Sequence, residues 1–219
     1  MPGIIINLPY TAGNVPPPLA KRLELSPEDW QLEHWRLIDP HLARVVREAA
    51  VSKGRDGVEA ARPVIAYPFS PVVADPWGLW AAELGQAGPP SPPRPDILPK
   101  TTAGRALQWS PRDRELIFGR TVLPFYQQIE EAAARLLADS PLVLILTLRS
   151  HGSHPLKFEV SHQYPRPQVA VGSTAGLTPE GLANLAGNTF RAFRWWPELN
   201  WPHGGGDCLP PALAGRPRV

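Results

Sequence analysis

The sequence predicts an α/β protein: one domain over residues 1–219, built on a mostly parallel central sheet with helices on both faces. Short apolar runs recur at Ile4-Ile5-Ile6-Asn7-Leu8, at Val64-Ile65-Ala66-Tyr67, at Leu142 to Leu148 and at Gln168 to Gly172. Stretches with helical spacing of apolar residues separate them, and several open on a serine, aspartate or threonine followed by proline. A chain of 219 residues buries a sizeable core in one domain and would be cramped as two.

The first strand, Ile4 to Leu8, runs into the loop Pro9-Tyr10-Thr11-Ala12-Gly13-Asn14-Val15-Pro16-Pro17. Ser26-Pro27-Glu28-Asp29 then supplies a cap, a proline at the first helical position and acids in the first turn, ahead of Trp30, Leu32, Trp35, Leu37 and Ile38. Asp39-Pro40 repeats the device, and the second helix is expected to carry Leu42, Val45, Val46 and Ala49 on one face. Residues 52–57 read as a polar loop. Val64 to Tyr67, bounded by prolines, reads as a second strand. The segment from Gly85 to Lys100 is so rich in proline that it is expected as an extended surface loop, since proline removes a donor and fixes φ.

Ser110-Pro111-Arg112-Asp113 is a further cap, preceding a long amphipathic helix through Leu116, Ile117, Leu123, Ile129, Ala133, Leu136 and Leu137. Pro124 should kink that helix. The unbroken apolar run Leu142 to Leu148 suits a central strand covered on both faces, with Leu144 and Leu146 buried. Gln168 to Gly172 is expected as another strand, and Thr178-Pro179-Glu180 as the cap of a helix reaching about Phe193.

Composition excludes several classes of function. The formal net charge is only +2 and the basic residues are scattered among 20 acids, so no nucleic-acid-binding stripe is expected. A single cysteine, Cys208, excludes an intrachain disulfide. Neither a signal-peptide pattern nor an apolar run of membrane-spanning length occurs, so a cytoplasmic protein without a membrane partner is expected.

The landmarks, taken in order, resemble the N-formylglutamate amidohydrolase family. The first strand and its Gly13 to Pro18 loop, Val64-Ile65, Thr101-Thr102-Ala103-Gly104, Arg120 through Pro124-Phe125-Tyr126, and Leu142 to Leu148 leading into Arg149-Ser150 follow the family's sequence of motifs. Asn200-Trp201-Pro202-His203-Gly204-Gly205-Gly206 resembles its Asn-x-Pro-Tyr-x-Gly-Gly turn and is the most specific local match. The resemblance implies a zinc-carboxypeptidase-like fold and hydrolysis of an N-acyl amide. A metal held by histidine and carboxylate would activate water for that reaction.

The metal-ligand positions of that pattern are replaced here. Tyr10 stands for the first histidine, Thr147 and Arg149 for an aspartate and a histidine, Tyr126 for another histidine, and Ala66, Pro68 and Phe69 for Asp, Asn and Arg. An arginine in place of an imidazole repels a metal instead of binding it. The resemblance therefore implies a scaffold released from its catalysis, a pseudoenzyme with no cofactor. Its cleft would take a small carboxylate or acyl-amino-acid ligand and hold Tyr10, Thr11, Tyr126, Arg149, Ser150, His151, Asn200 and His203. Arg149 would pair with a carboxylate, Tyr10 and Tyr126 would donate hydrogen bonds, and Asn200 would shape the floor.

Two other readings stand beside it: a non-catalytic partner-binding scaffold, and an active amidohydrolase whose zinc site has moved to His151, His154, Glu159, His162, His203, Asp207 or Cys208. The spacing of these histidines is loose, and solvated loop histidines explain them as well. Ser150 beside His151 lacks a nucleophile elbow. Trp195, Trp196 and Trp201 serve as readily for packing as for lining a pocket. The chain ends at Val219, before a strand and a helix that the resemblance would add. An open sheet edge is thus expected, to be closed by a homodimer or by the proline-rich loop.

Overall fold

A computed structural model describes residues 3–50, 62–76, 97–98, 100–150, 169–171, 180–195 and 197–199. Helices accompany a small, open, three-stranded parallel sheet made of β1 (Gly3–Leu8), β2 (Val64–Ala66) and β3 (Val143–Thr147), in the order β2-β1-β3. Ile6 faces Val64 on one side of β1, and Ile5 faces Ile145 on the other. The three runs predicted to share a sheet do so. The position of β3 differs from expectation, because β1 is central among the described residues and β3 lies at an edge. Leu8 and Ile5 are fully buried, whereas Leu142, Leu146 and Leu148 are each more than a third exposed. An unbroken apolar run signals two apolar faces but carries no information about which neighbours pair with it.

Side chains alternate across β1 into two clusters. Ile6 and Leu8, with Ile4 against them, gather with Ala43, Val46 and Ala50 of the helix Leu42–Ala50. Ile5 gathers instead with Phe125, Ile129, Ala132 and Ala133 of the helix Leu123–Asp139.

Among the described residues, further helical pieces surround these two. The first, α1 (Pro17–Leu23), lies partly within the stretch expected to be loop; its Leu19 and Leu23, one turn apart, are buried. The run of prolines from 16 to 18 hides it in the sequence, yet proline is well tolerated at the first helical positions. As predicted, α2 (Pro27–Leu37) starts at Ser26, whose hydroxyl accepts from the Asp29 amide at 3.1 Å. Next, α3 (Leu42–Ala50) begins after a turn at Pro40-His41, with the Asp39 carboxylate accepting from the His41 and Leu42 amides at 2.9 and 3.0 Å. Its buried face is Ala43, Val46 and Ala50; Val45 is 55% exposed and Ala49 is exposed, against the predicted face.

The helix α4 (Pro111–Ile117) opens on a reciprocal box between Ser110 and Asp113. The predicted kink takes the form of a π-helical turn over Phe118–Val122, followed by α5 (Leu123–Asp139). The Leu123 amide reaches back to the Phe118 carbonyl, a bond spanning five residues. Proline at 124 has no amide with which to continue the regular ladder.

The strands β4 (Val169–Val171) and β5 (Pro197–Leu199) pair in parallel apart from the main sheet, and α6 (Glu180–Ala192) lies between them in sequence. The proline-rich segment between Gly85 and Ile97, the loop at 52–57 and the cap at Thr178 lie outside the described residues.

Polar contacts join distant stretches of chain. Glu33 on α2 is 1% exposed and accepts from both the amide and the hydroxyl of Thr102, at 2.9 and 2.6 Å. Arg36 donates to the same hydroxyl at 2.8 Å, and Arg22 of α1 pairs with Asp113. A Cβ on Gly13 would lie 1.6 Å from Cε1 of His34, so a larger residue here would require the His34 ring to move away from the loop after β1.

Candidate binding cleft at the sheet edge

Because β1, β2 and β3 run parallel, their carboxyl ends emerge along one edge, where open α/β sheets place ligands. Tyr10 and Thr11 follow β1, the segment from Tyr67 to Pro76 follows β2, and Arg149 and Ser150 follow β3. The last rungs are stitched at this edge. The Leu148 amide donates to the Asn7 carbonyl and the Tyr67 amide to the Leu8 carbonyl, both at 2.9 Å.

Tyr10 is buried at 4% exposure, and its hydroxyl donates to Oδ1 of Asp75 at 2.8 Å. Asp75 is fully buried. A buried carboxylate is costly unless it is hydrogen-bonded, and the phenol supplies such a bond. Tyr126, presented by α5, donates to the carbonyl of Pro76, the next residue. The two tyrosines, 116 positions apart in the chain, thus meet on adjacent residues of one loop. Their hydroxyl protons are directed at the protein, so neither is presented to a ligand.

The third branch of the edge approaches through Asp39. The Asp39 amide donates to the Tyr10 carbonyl at 2.9 Å, and its carboxylate accepts from the Ser150 hydroxyl. Partial burial pushes the Asp39 carboxyl up. The Ser150 hydroxyl, the Leu42 and His41 amides and the nearby His41 together outweigh that effect and hold it below its ordinary value. Arg149 is half-buried beside this contact in sequence, and Thr11 is half-buried next to Tyr10.

Two fully buried polar groups lie toward the same end of the sheet. Asn7 donates to the Thr147 hydroxyl at 3.2 Å, and its Oδ1 has no partner among the described residues. The Tyr67 hydroxyl lies beside Thr121 without a hydrogen bond of good geometry to it. Burial raises the Tyr67 phenol above its ordinary value; the Thr121 hydroxyl works against that rise and the negative charge of Asp75 adds to it.

Ala66, Pro68 and Phe69, where the resemblance has Asp, Asn and Arg, serve packing and backbone contacts. The Pro68 carbonyl accepts from Asn14 at 3.0 Å, and Phe69 meets Tyr67 edge-on at 5.8 Å between ring centres. His151, Asn200 and His203 lie outside the described residues, as do His154, Glu159, His162, Asp207, Cys208, Trp196 and Trp201. Among the described residues no group of three or more His, Cys, Asp or Glu is placed to hold a metal ion, and no helix is long and apolar enough to cross a membrane.

Asp75 escaped the sequence reading although it organises the edge. Its signal was present: a single acid in the apolar run Pro71-Val72-Val73-Ala74-Asp75-Pro76 demands a buried donor. Comparison of the chain with protein-family models, with curated proteins and with solved structures finds no match.

Proposed function

We propose that this chain is a divergent N-formylglutamate-amidohydrolase-like protein that binds a small carboxylate or acyl-amino acid at the carboxyl edge of its sheet and does not use the family's metal-dependent hydrolysis. The reading includes the finer architecture: a sheet covered by helices on both faces, like that of the zinc peptidases, in a cytoplasmic protein. One observation carries it. Where the resemblance requires the first imidazole ligand, Tyr10 offers a phenol whose proton is directed at Asp75. A neutral phenol bonded to a buried carboxylate is a poor zinc ligand compared with the imidazole it replaces.

On this reading the ligand is held from the rim. The Arg149 guanidinium faces the carboxylate, with the Thr11 hydroxyl as a donor and the Ser150 oxygen, whose proton goes to Asp39, as an acceptor for an acyl-amide N–H, while Tyr10, Asp75 and Tyr126 form the rigid wall behind them. Thermal unfolding with N-formylglutamate, N-acetylglutamate or succinate tests it. Ligand at a hundredfold excess over Kd adds about 2.7 kcal/mol, or about 5–10 °C for a chain of this size. Arg149→Ala should abolish the shift. No shift with any of the three leaves a partner-binding scaffold. One tightly bound zinc per chain after dialysis, lost on His151→Ala or His203→Ala, replaces the proposal with a relocated hydrolase site.

A further inference from the structure

One face of α2 carries an apolar groove of about 290 Å³, lined by Trp30, Gln31, His34, Trp35, Ile38 and Pro40. Two rows of residues four apart, Trp30-His34-Ile38 and Gln31-Trp35, bring these side chains to one side of the helix. Trp30 meets His34 edge-on at 6.5 Å between ring centres, and Trp35 is 73% exposed. The groove adjoins the carboxyl edge of the sheet. Asp39 lies between Ile38 and Pro40, donates its amide to the Tyr10 carbonyl at 2.9 Å and accepts from the Ser150 hydroxyl. The His34 ring rests against Gly13, in the loop after β1. Consecutive Cα atoms are about 3.8 Å apart, so the wall of the groove begins one residue's span from Asp39.

We propose that this groove takes the acyl group of the ligand, and that the ligand is an N-aroyl amino acid, for which N-benzoylglutamate is the simplest probe. The inference rests on the reading of the sheet edge as the carboxylate site. With the carboxylate on Arg149 and the amide N–H on the Ser150 oxygen, the acyl carbon lies beside Asp39, where Ser150 is anchored. A formyl or acetyl group ends at that rim, whereas an aromatic acyl group continues past Ile38 and Pro40 into the groove. Its shape and chemistry suit a ring. An apolar cavity of roughly 150 Å³ already accepts benzene, and indole faces pair favourably with a second aromatic ring. Apart from His34 the lining has no ionisable side chain, so a charged acyl group would lose its water there without gaining a partner.

Titration calorimetry of the full chain with N-acetylglutamate and with N-benzoylglutamate tests it. The benzoyl ligand should bind on the order of tenfold tighter, from burial of the ring and its contact with the indoles. Trp35→Ala should bring the two affinities together, while Trp35→Phe, which keeps an aromatic face, should retain much of the difference. Because Trp35 is largely exposed, neither change should alter thermal unfolding of the free protein, which separates a lost contact from a lost fold. Arg149→Ala should weaken both ligands. Equal affinities in the unaltered chain, or a benzoyl preference that survives Trp35→Ala, overturns the acyl groove and leaves the carboxylate site standing. Failure of both ligands to bind overturns the carboxylate site and this inference with it.

Discussion

Asp75 shows how one buried carboxylate fixes the loops around it. It is fully buried and takes the Tyr10 hydroxyl at 2.8 Å, so Tyr10→Phe removes a donor while leaving the charge in place. The expected loss is about 1–3 kcal/mol in urea-unfolding free energy, and Tyr10→Phe combined with Asp75→Leu should cost less than the sum of the single changes. Asp39 gives a pH signature at the same edge. Its folded carboxyl lies below its ordinary 3.8, so its contribution to stability is fully present above the unfolded value and is lost as pH falls through the folded one. Stability measured from pH 6 down to 2 should fall less steeply in Asp39→Asn than in the unaltered chain. Equal slopes would show that the Ser150 contact and the two capping amides do not act on this group.

At the scale of elements, local chemistry was legible and pairing was not. Ser26 and Ser110 cap α2 and α4 where the sequence places them, because a cap is written in four adjacent residues. Ser110→Ala should cost about 1 kcal/mol in thermal or urea unfolding by leaving the Asp113 amide without its acceptor. Pro124 marked the break before α5, although the form it takes, a π turn at Phe118–Val122, depends on how the freed carbonyls are satisfied. The face of α3 was misplaced because Leu42, Val45, Val46 and Ala49 fit helical spacing as well as Ala43, Val46 and Ala50 do. Only the position of the sheet decides between them. The same holds for β3, whose composition declares a strand without declaring its neighbours. At the site, Tyr10 and Tyr126 were singled out from the sequence. Their meeting on Asp75 and Pro76 was not, since it depends on a loop with no motif of its own.

At the scale of the molecule, the strand order has a consequence for how the chain may be divided. The central strand β1 comes from the first fifty residues, its neighbour β2 from the same half, and β3 from beyond residue 140. Glu33 and Arg36 hold Thr102, and Arg22 holds Asp113, across the same divide. Neither half owns a complete sheet or a satisfied Glu33. A chain severed in the proline-rich stretch, as fragments 1–88 and 89–219, should therefore behave as a complementing pair. Each fragment alone is expected to lack cooperative unfolding, while the mixture should regain it, together with the circular dichroism of the intact protein. Fusing the fragments to the halves of a reporter would then make reassembly of this sheet a readable signal, and Glu33→Ala should weaken that signal by stranding Thr102 on the other piece.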